Sequence, residues 1–263
     1  MKLQDPIIET RMNIVYGPVQ SLRYGITVGV NLLGSQKVCS YNCAYCSLGP
    51  TELTMNFIRK DYAFPTLESV REAFRNYIKQ TVPVEAIVVS GNGEPTLFPD
   101  FDEAMKLLLE LRQEHLPGKK IIVLTNGAHL DNKKVVSGLN MIDERVIKVD
   151  AGNDYLLSKV NDPLIRINMT KFLNGVAKLS DCVVQAMFFA GEFTNMEADA
   201  VDEWIEILGM IKPKAVQICT ITRPTPLHPG LKAADEDSLY SIAFKLKKRT
   251  GLEAGVFGAQ KSS

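Results

Sequence analysis

Six short aliphatic runs recur along the chain, with helix-periodic stretches between them. Gly25 to Leu33, Glu85 to Ser90, Lys120 to Asn126, Arg145 to Asp150, Cys182 to Phe189 and Ala215 to Ile221 read as strands. Leu67, Val70, Phe74, Tyr77 and Ile78 repeat at helical spacing, as do Phe101, Ala104, Met105, Leu108 and Leu111. A short helix is expected around Lys133 to Leu139. Leu164, Ile167, Phe172, Leu173 and Val176 form a further stripe, then Val201, Trp204, Ile205, Leu208 and Ile211, and last Leu239, Ile242 and Leu246. Asp100 with Glu103 reads as a capping box, and Asp162-Pro163 as a cap followed by proline at the first helical position. Strands alternating with helices imply a parallel sheet with right-handed crossovers. Eight such units close a barrel of about 250 residues. Six leave a partly open barrel or a doubly wound sheet.

The 263 residues suit one large α/β domain or two small ones. No repeat or Pro/Gly-rich linker divides the sequence. One domain is therefore expected, with an arm over 1–24, a core over 25–249 and a tail over 250–263. Apolar residues at 46% and charged residues at 23% exclude a disordered chain, and the composition is not that of a fibre or a disulfide-stapled miniprotein. Thirty basic residues balance thirty acidic ones, which argues against a surface that grips a polyanion along its whole length. The start lacks the apolar core of a secretory signal, and the apolar runs are strand-sized, whereas a spanning helix needs about 20 residues. The expectation is a cytoplasmic protein with no membrane partner.

In parallel α/β folds, ligands sit at the carboxyl ends of the strands. This sequence places its unusual residues there. The first expected strand is followed by Cys39-Ser40-Tyr41-Asn42-Cys43-Ala44-Tyr45-Cys46, a C-x3-C-x2-C loop. The second ends in Gly91-Asn92-Gly93-Glu94-Pro95, the third in Thr125-Asn126-Gly127, the fourth in Asp150-Ala151-Gly152. Three of the five cysteines thus fall within eight residues, which reads as a metal site in a reducing compartment. Three thiolates on one loop can wrap one face of an iron–sulfur cube and leave one iron open. Structural zinc with a distant fourth ligand is the other reading of the spacing alone.

The cysteine loop resembles the CxxxCxΦC signature of the radical S-adenosylmethionine (radical SAM) superfamily, with Tyr45 at the aromatic position. The resemblance runs from about Val15 to Pro226. Val15-Tyr16-Gly17-Pro18-Val19, Gly29-Val30-Asn31, Ser90 to Leu97, Lys148 to Gly152 and Gln217 to Pro224 resemble the wyosine-synthase-like branch. The resemblance implies a partial (β/α)6 TIM-like barrel. It implies that Cys39, Cys43 and Cys46 bind a 4Fe–4S cluster whose open iron is chelated by SAM. Tyr45 would lie beside the adenine, and Asn92-Gly93-Glu94 would stand for the GGE motif that receives the methionine amino group. Asn92 departs from glycine there. Asp150 and Gln185 would contact ribose or carboxylate. The implied reaction is reductive cleavage of SAM to a 5′-deoxyadenosyl radical, which abstracts hydrogen from a tRNA base, a peptide residue or a small metabolite. A low-potential flavodoxin or ferredoxin would supply the electron. Nucleic acid as a partner rests on the resemblance alone. A non-catalytic iron–sulfur carrier on the same fold is the alternative.

Other residues carry more than one reading. Lys148 and Asp150 share a strand face, as a structural ion pair or as site residues. Cys219 and Gln217 also share a face, with Cys219 either a buried thiol or a hydrogen donor. Cys182, His115 and His129 have no supporting context, and His228 lies in a Pro-rich loop. Lys245, Lys247, Lys248 and Arg249 form the solvated end of a helix.

Overall fold

The computed structural model describes residues 13–54, 62–80 and 83–258. The chain divides into two compact units, one of Met1–Ser40, Thr51–Thr125 and His129–Arg145, the other of Tyr41–Pro50, Asn126–Ala128 and Val146–Ser263.

The first unit contains β1 (Val15–Ser21), β2 (Gly25–Val30), β3 (Ala86–Val89) and β4 (Lys120–Thr125). Its helices are α1 (Leu67–Ile78), α2 (Phe101–His115) and α3 (Lys133–Met141). β1 and β2 form an antiparallel hairpin in which Ser21 faces Gly25. β2, β3 and β4 are parallel, with Thr27 beside Ala86 and Ala86 beside Lys120. The shared register closes at Val30, Val89 and Val123, and β4 continues to Thr125. β3 is buried along its whole length, as a parallel strand covered on both faces should be. Phe74, Phe101, Met105 and Leu108 are fully buried on the helices of this unit.

The second unit holds most of β5 (Glu144–Lys148), with β6 (Val183–Gly191), β7 (Ala215–Thr220), β8 (Leu231–Ala233) and β9 (Ala254–Phe257). Its helices are α4 (Asp154–Val160), α5 (Met169–Val176), α6 (Ala198–Ile211) and α7 (Glu236–Thr250). β5, β6, β7 and β9 are parallel. β6 continues past its partner, and Phe189, Ala190 and Gly191 pair antiparallel with β8. α6 is anchored by Trp204, which is 1% exposed, stands edge-on to Phe188 and donates from its indole to the Val149 carbonyl at 2.9 Å.

All six expected strands are present, and β1, β8 and β9 are additional. β1 falls within the stretch read as an arm and β9 within the stretch read as a tail. Residues 1–12 and 259–263 of those stretches lie outside the described residues. One helix assignment is corrected. Asp162-Pro163 opens no helix, because Asp162 takes a left-handed φ of 40° and Pro163 pairs in an antiparallel bridge with Tyr41. Two helices occupy the interval instead, and the cap of α5 is Asn168, which accepts from the Lys171 amide. Asp100 stands at the N-terminus of α2 but makes no capping bond, and lies 3.2 Å from Lys134 Nζ. Among the described residues no helix is long and apolar enough to cross a membrane.

Candidate active site

In the first unit, the turn after β3 is pressed against the segment that leads into Cys39. Asn92 O accepts from Val38 N at 2.8 Å, and Val38 O accepts from Glu94 N at 2.9 Å. Gly93 lies between them with φ 130°. A Cβ there would stand 1.8 Å from the Val38 carbonyl oxygen, so the position requires glycine for both conformation and space. Asn92 is 1% exposed, and its amide donates to Gly34 O at 2.6 Å while its backbone N–H donates to Asn31 Oδ1. The side chain therefore braces the preceding loop, which accounts for asparagine where the motif has glycine.

Glu94 caps the 3-10 turn Pro95–Leu97 and is 2% exposed. Its Oε1 accepts from Thr96 N at 3.1 Å and from the hydroxyls of Thr96 and Thr125, each at 2.6 Å. Three donors on one oxygen fix the orientation of a buried carboxyl group. Cys39 is buried, with its N–H bonded to Leu53 O. Next to it, Ser40 Oγ bonds His129 Nε2, which gives His129 a place the sequence did not suggest.

In the second unit, residues 41–44 are stitched antiparallel to residues 160–163. Ala44 N donates to Val160 O at 2.8 Å and Asn42 N to Asp162 O at 3.0 Å. Cys46 N closes a turn onto Cys43 O. This register puts Asn161 opposite Cys43, with the amide Nδ2 3.4 Å from Cys43 Sγ. Asp150, whose side chain is fully buried, organises the surroundings. Its Oδ2 accepts from the Tyr45 hydroxyl and from Asn161 Nδ2 at 2.7 Å. Its Oδ1 accepts from Met187 N at 2.7 Å and pairs with Lys148 Nζ at 3.1 Å. Lys148 Nζ also lies 5.0 Å from the centre of the Tyr45 ring. The ion-pair reading of Lys148 and Asp150 is therefore the arrangement present.

Burial pushes the Cys43 thiol up to about 12, with the Asp150 carboxylate and then Cys46 acting in the same direction. Burial, followed by the Asp150 charge, likewise holds the Tyr45 phenol well above its ordinary value. Gln185 is buried and donates to Gln217 at 2.9 Å. Register aligns Lys148, Gln185 and Gln217 as one row across β5, β6 and β7, with Met187 and Cys219 in the row above. His228 is paired through Nδ1 with Glu192 at the ribbon of β6 and β8, and Phe193 packs edge-on to it.

Sequence reasoning missed Asn161 and Asn195. The latter bridges β6 by accepting from Phe189 N and donating to the carbonyls of Met187 and Asp150. Neither residue sits in a motif. Among the described residues no three His, Cys, Asp or Glu side chains gather at one ion-sized point.

Residues 34–182, more than half of the chain, match the family model described as the radical SAM superfamily. The UPF0026 protein slr1464 of Synechocystis is 29% identical over 93% of this chain and 96% of its own length. The UPF0026 protein of Helicobacter pylori strain J99 is 30% identical over 92% of this chain and 78% of its own. Among solved structures, Streptococcus suis SuiB bound to S-adenosylmethionine has a TM-score of 0.61 at 16% identity, covering 85% of this chain. The chain spans 49% of SuiB. TYW1 with a lysine-pyruvate adduct has a TM-score of 0.62 at 15% identity, over 85% of this chain and 74% of that one. Likeness at this identity establishes the fold, and it is the α/β partial (β/α)6 TIM-like barrel expected above. On the family match and the identity to the Helicobacter pylori protein, the chain belongs to the radical SAM superfamily and to the UPF0026 proteins.

Proposed function

We propose that Cys39, Cys43 and Cys46 hold a 4Fe–4S cluster in an enzyme that cleaves SAM reductively. Membership of the superfamily makes the chain a radical SAM enzyme, with the cluster and SAM as cofactors. The observation that carries the residue assignment is the C-x3-C-x2-C loop lying inside the matched residues 34–182.

The residues fit such a group. Cys43 is a half-buried thiol whose surroundings oppose a bare thiolate, so the positive charge of bound iron is what would hold it deprotonated. Asn161 carries a buried Oδ1 with no protein partner among the described residues, next to that thiol, and a bound ligand with a hydroxyl or amine would satisfy it. When bound, the reduced cluster supplies one electron to the sulfonium of SAM, releasing methionine and a 5′-deoxyadenosyl radical that abstracts hydrogen from substrate.

The protein's part is to position and to exclude. Gly93 lets the turn of Asn92 and Glu94 lie against the segment entering Cys39, and Glu94 offers a fixed carboxylate to the methionine amino group. Tyr45 is clamped by Asp150 and Lys148 in one ring orientation, suited to stacking beside adenine. Gln185 offers its amide to ribose or carboxylate, whereas Asp150, fully buried with both oxygens engaged, positions Tyr45 and Asn161 instead of contacting ligand. A low-potential flavodoxin or ferredoxin in the cytoplasm supplies the electron. The motifs of the wyosine-synthase-like branch and the TYW1 likeness support a position near that branch.

The test is anaerobic reconstitution with iron and sulfide, reduction with dithionite, and assay for 5′-deoxyadenosine and methionine. Cys43→Ala should lose cluster and turnover together. A fully reduced, intact cluster that neither binds nor cleaves SAM would refute the reading and leave a carrier. Mass spectrometry of tRNA nucleosides and peptides from a deletion strain identifies the substrate class.

A further inference from the structure

Asn161 is held where it is by backbone, not by its own side chain. Its N–H bonds Leu157 O at 2.9 Å, and the bonds from Ala44 to Val160 and from Asn42 to Asp162 bracket it on both sides. It is 2% exposed. The orientation of its amide follows from Asp150: a carbonyl oxygen 2.7 Å from a carboxylate oxygen would be repelled, so the NH2 end faces Asp150. One amide hydrogen goes to Asp150. The other faces Cys43 Sγ and the Tyr45 oxygen, each at 3.4 Å. Tyr45 directs its own proton to Asp150, so both side chains donate around one carboxylate while Asn161 also donates to sulfur.

We propose that Asn161 is a positioning residue that tunes the cluster, its amide N–H donating to the Cys43 sulfur and making the bound cluster easier to reduce. The proposal rests on Cys43 being a cluster ligand. Reduction adds negative charge that spreads onto the thiolate sulfurs, and a donor there stabilises the reduced form. The Asp150 carboxylate acts oppositely, because it raises the cost of added charge nearby. The Asn161 amide stands between the two and presents a hydrogen to each.

The test compares wild type with Asn161→Leu and Asn161→Asp, reconstituted to the same iron and sulfide content. Redox titration without SAM, followed by EPR, reads the midpoint directly. Both variants should titrate at more negative potential, Asn161→Asp the further. At a solution potential set to the wild-type midpoint, their reduced fraction should fall several-fold. Loaded variants with the wild-type midpoint would overturn the proposal and leave the enzyme reading intact. Should the variants fail to fold or load, wild type labelled with 15N at asparagine Nδ2 decides. Pulsed EPR of its reduced cluster should show coupling to that nitrogen, and a spectrum without it would overturn the proposal. A wild-type chain that loads no cluster would overturn the functional reading and this inference together.

Discussion

The turn after β3 and the loop around Cys43 both bury polar chemistry, by opposite means. At Glu94 three donors converge on one oxygen, and the turn itself is fixed by two backbone bonds to Val38. Around Cys43 the groups oppose one another. A thiol and a phenol, both half-buried, adjoin a buried carboxylate, and desolvation with mutual repulsion keeps the first two protonated. In the first region the protein itself supplies the donors that orient Glu94 Oε1. In the second, the proposed function has bound iron supply the positive charge that the thiol lacks.

Breaking the first region should cost most. Gly93→Ala sets a methyl against the Val38 carbonyl at a φ closed to alanine. The expected loss is about 5 kcal/mol or failure to fold, seen as insoluble protein or a collapsed melting transition. In the second region, Asp150→Ala leaves Lys148 without its counter-ion and removes an acceptor from both Tyr45 and Asn161. Lys148 keeps some exposure and its stacking over Tyr45, so the loss should be about 3 kcal/mol by urea titration. If Asp150→Ala proved as costly as Gly93→Ala, the contrast between the regions would be wrong.

Thr125→Val tests how evenly the Glu94 donors share their load. It removes one hydroxyl of three donors and should cost about 1 kcal/mol in chemical denaturation. The smallest effect is expected at an exposed ion-pair cluster between two helices. Asp202 on α6 pairs with Lys245 and Arg249 on α7, and the Lys245 hydrogen bond leads in holding its carboxyl below the usual 3.8. A depressed folded-state pKa gives stability that is present above the unfolded value and is lost as pH falls through the folded one. Asp202→Asn should therefore melt slightly below wild type above pH 5, and the gap should close between about pH 4 and 2.

The two regions also differed in legibility. The order of the six expected strands, the glycine turn and the cysteine loop were readable because periodicity and glycine act locally. Asn161 was not. Its partner Cys43 is 118 residues away, and an Asp-Pro pair that looks like a helix start instead lies along the cysteine loop. β8 and β9, at three and four residues, are too short to show alternation. The Ser40 pairing with His129 was hidden for the same reason as Asn161, since it joins two loops remote in sequence.

The overhang of β6 has a consequence for how such enzymes diversify. Gly191 pairs with Leu231, and Thr220 accepts no slack: its hydroxyl donates to Phe188 O and accepts from Ala234 N. The segment 222–230 is thereby tethered at both feet. Insertions or substitutions there change what overhangs the strand ends without moving the strands, so new substrate preferences can evolve on a scaffold that does not register the change.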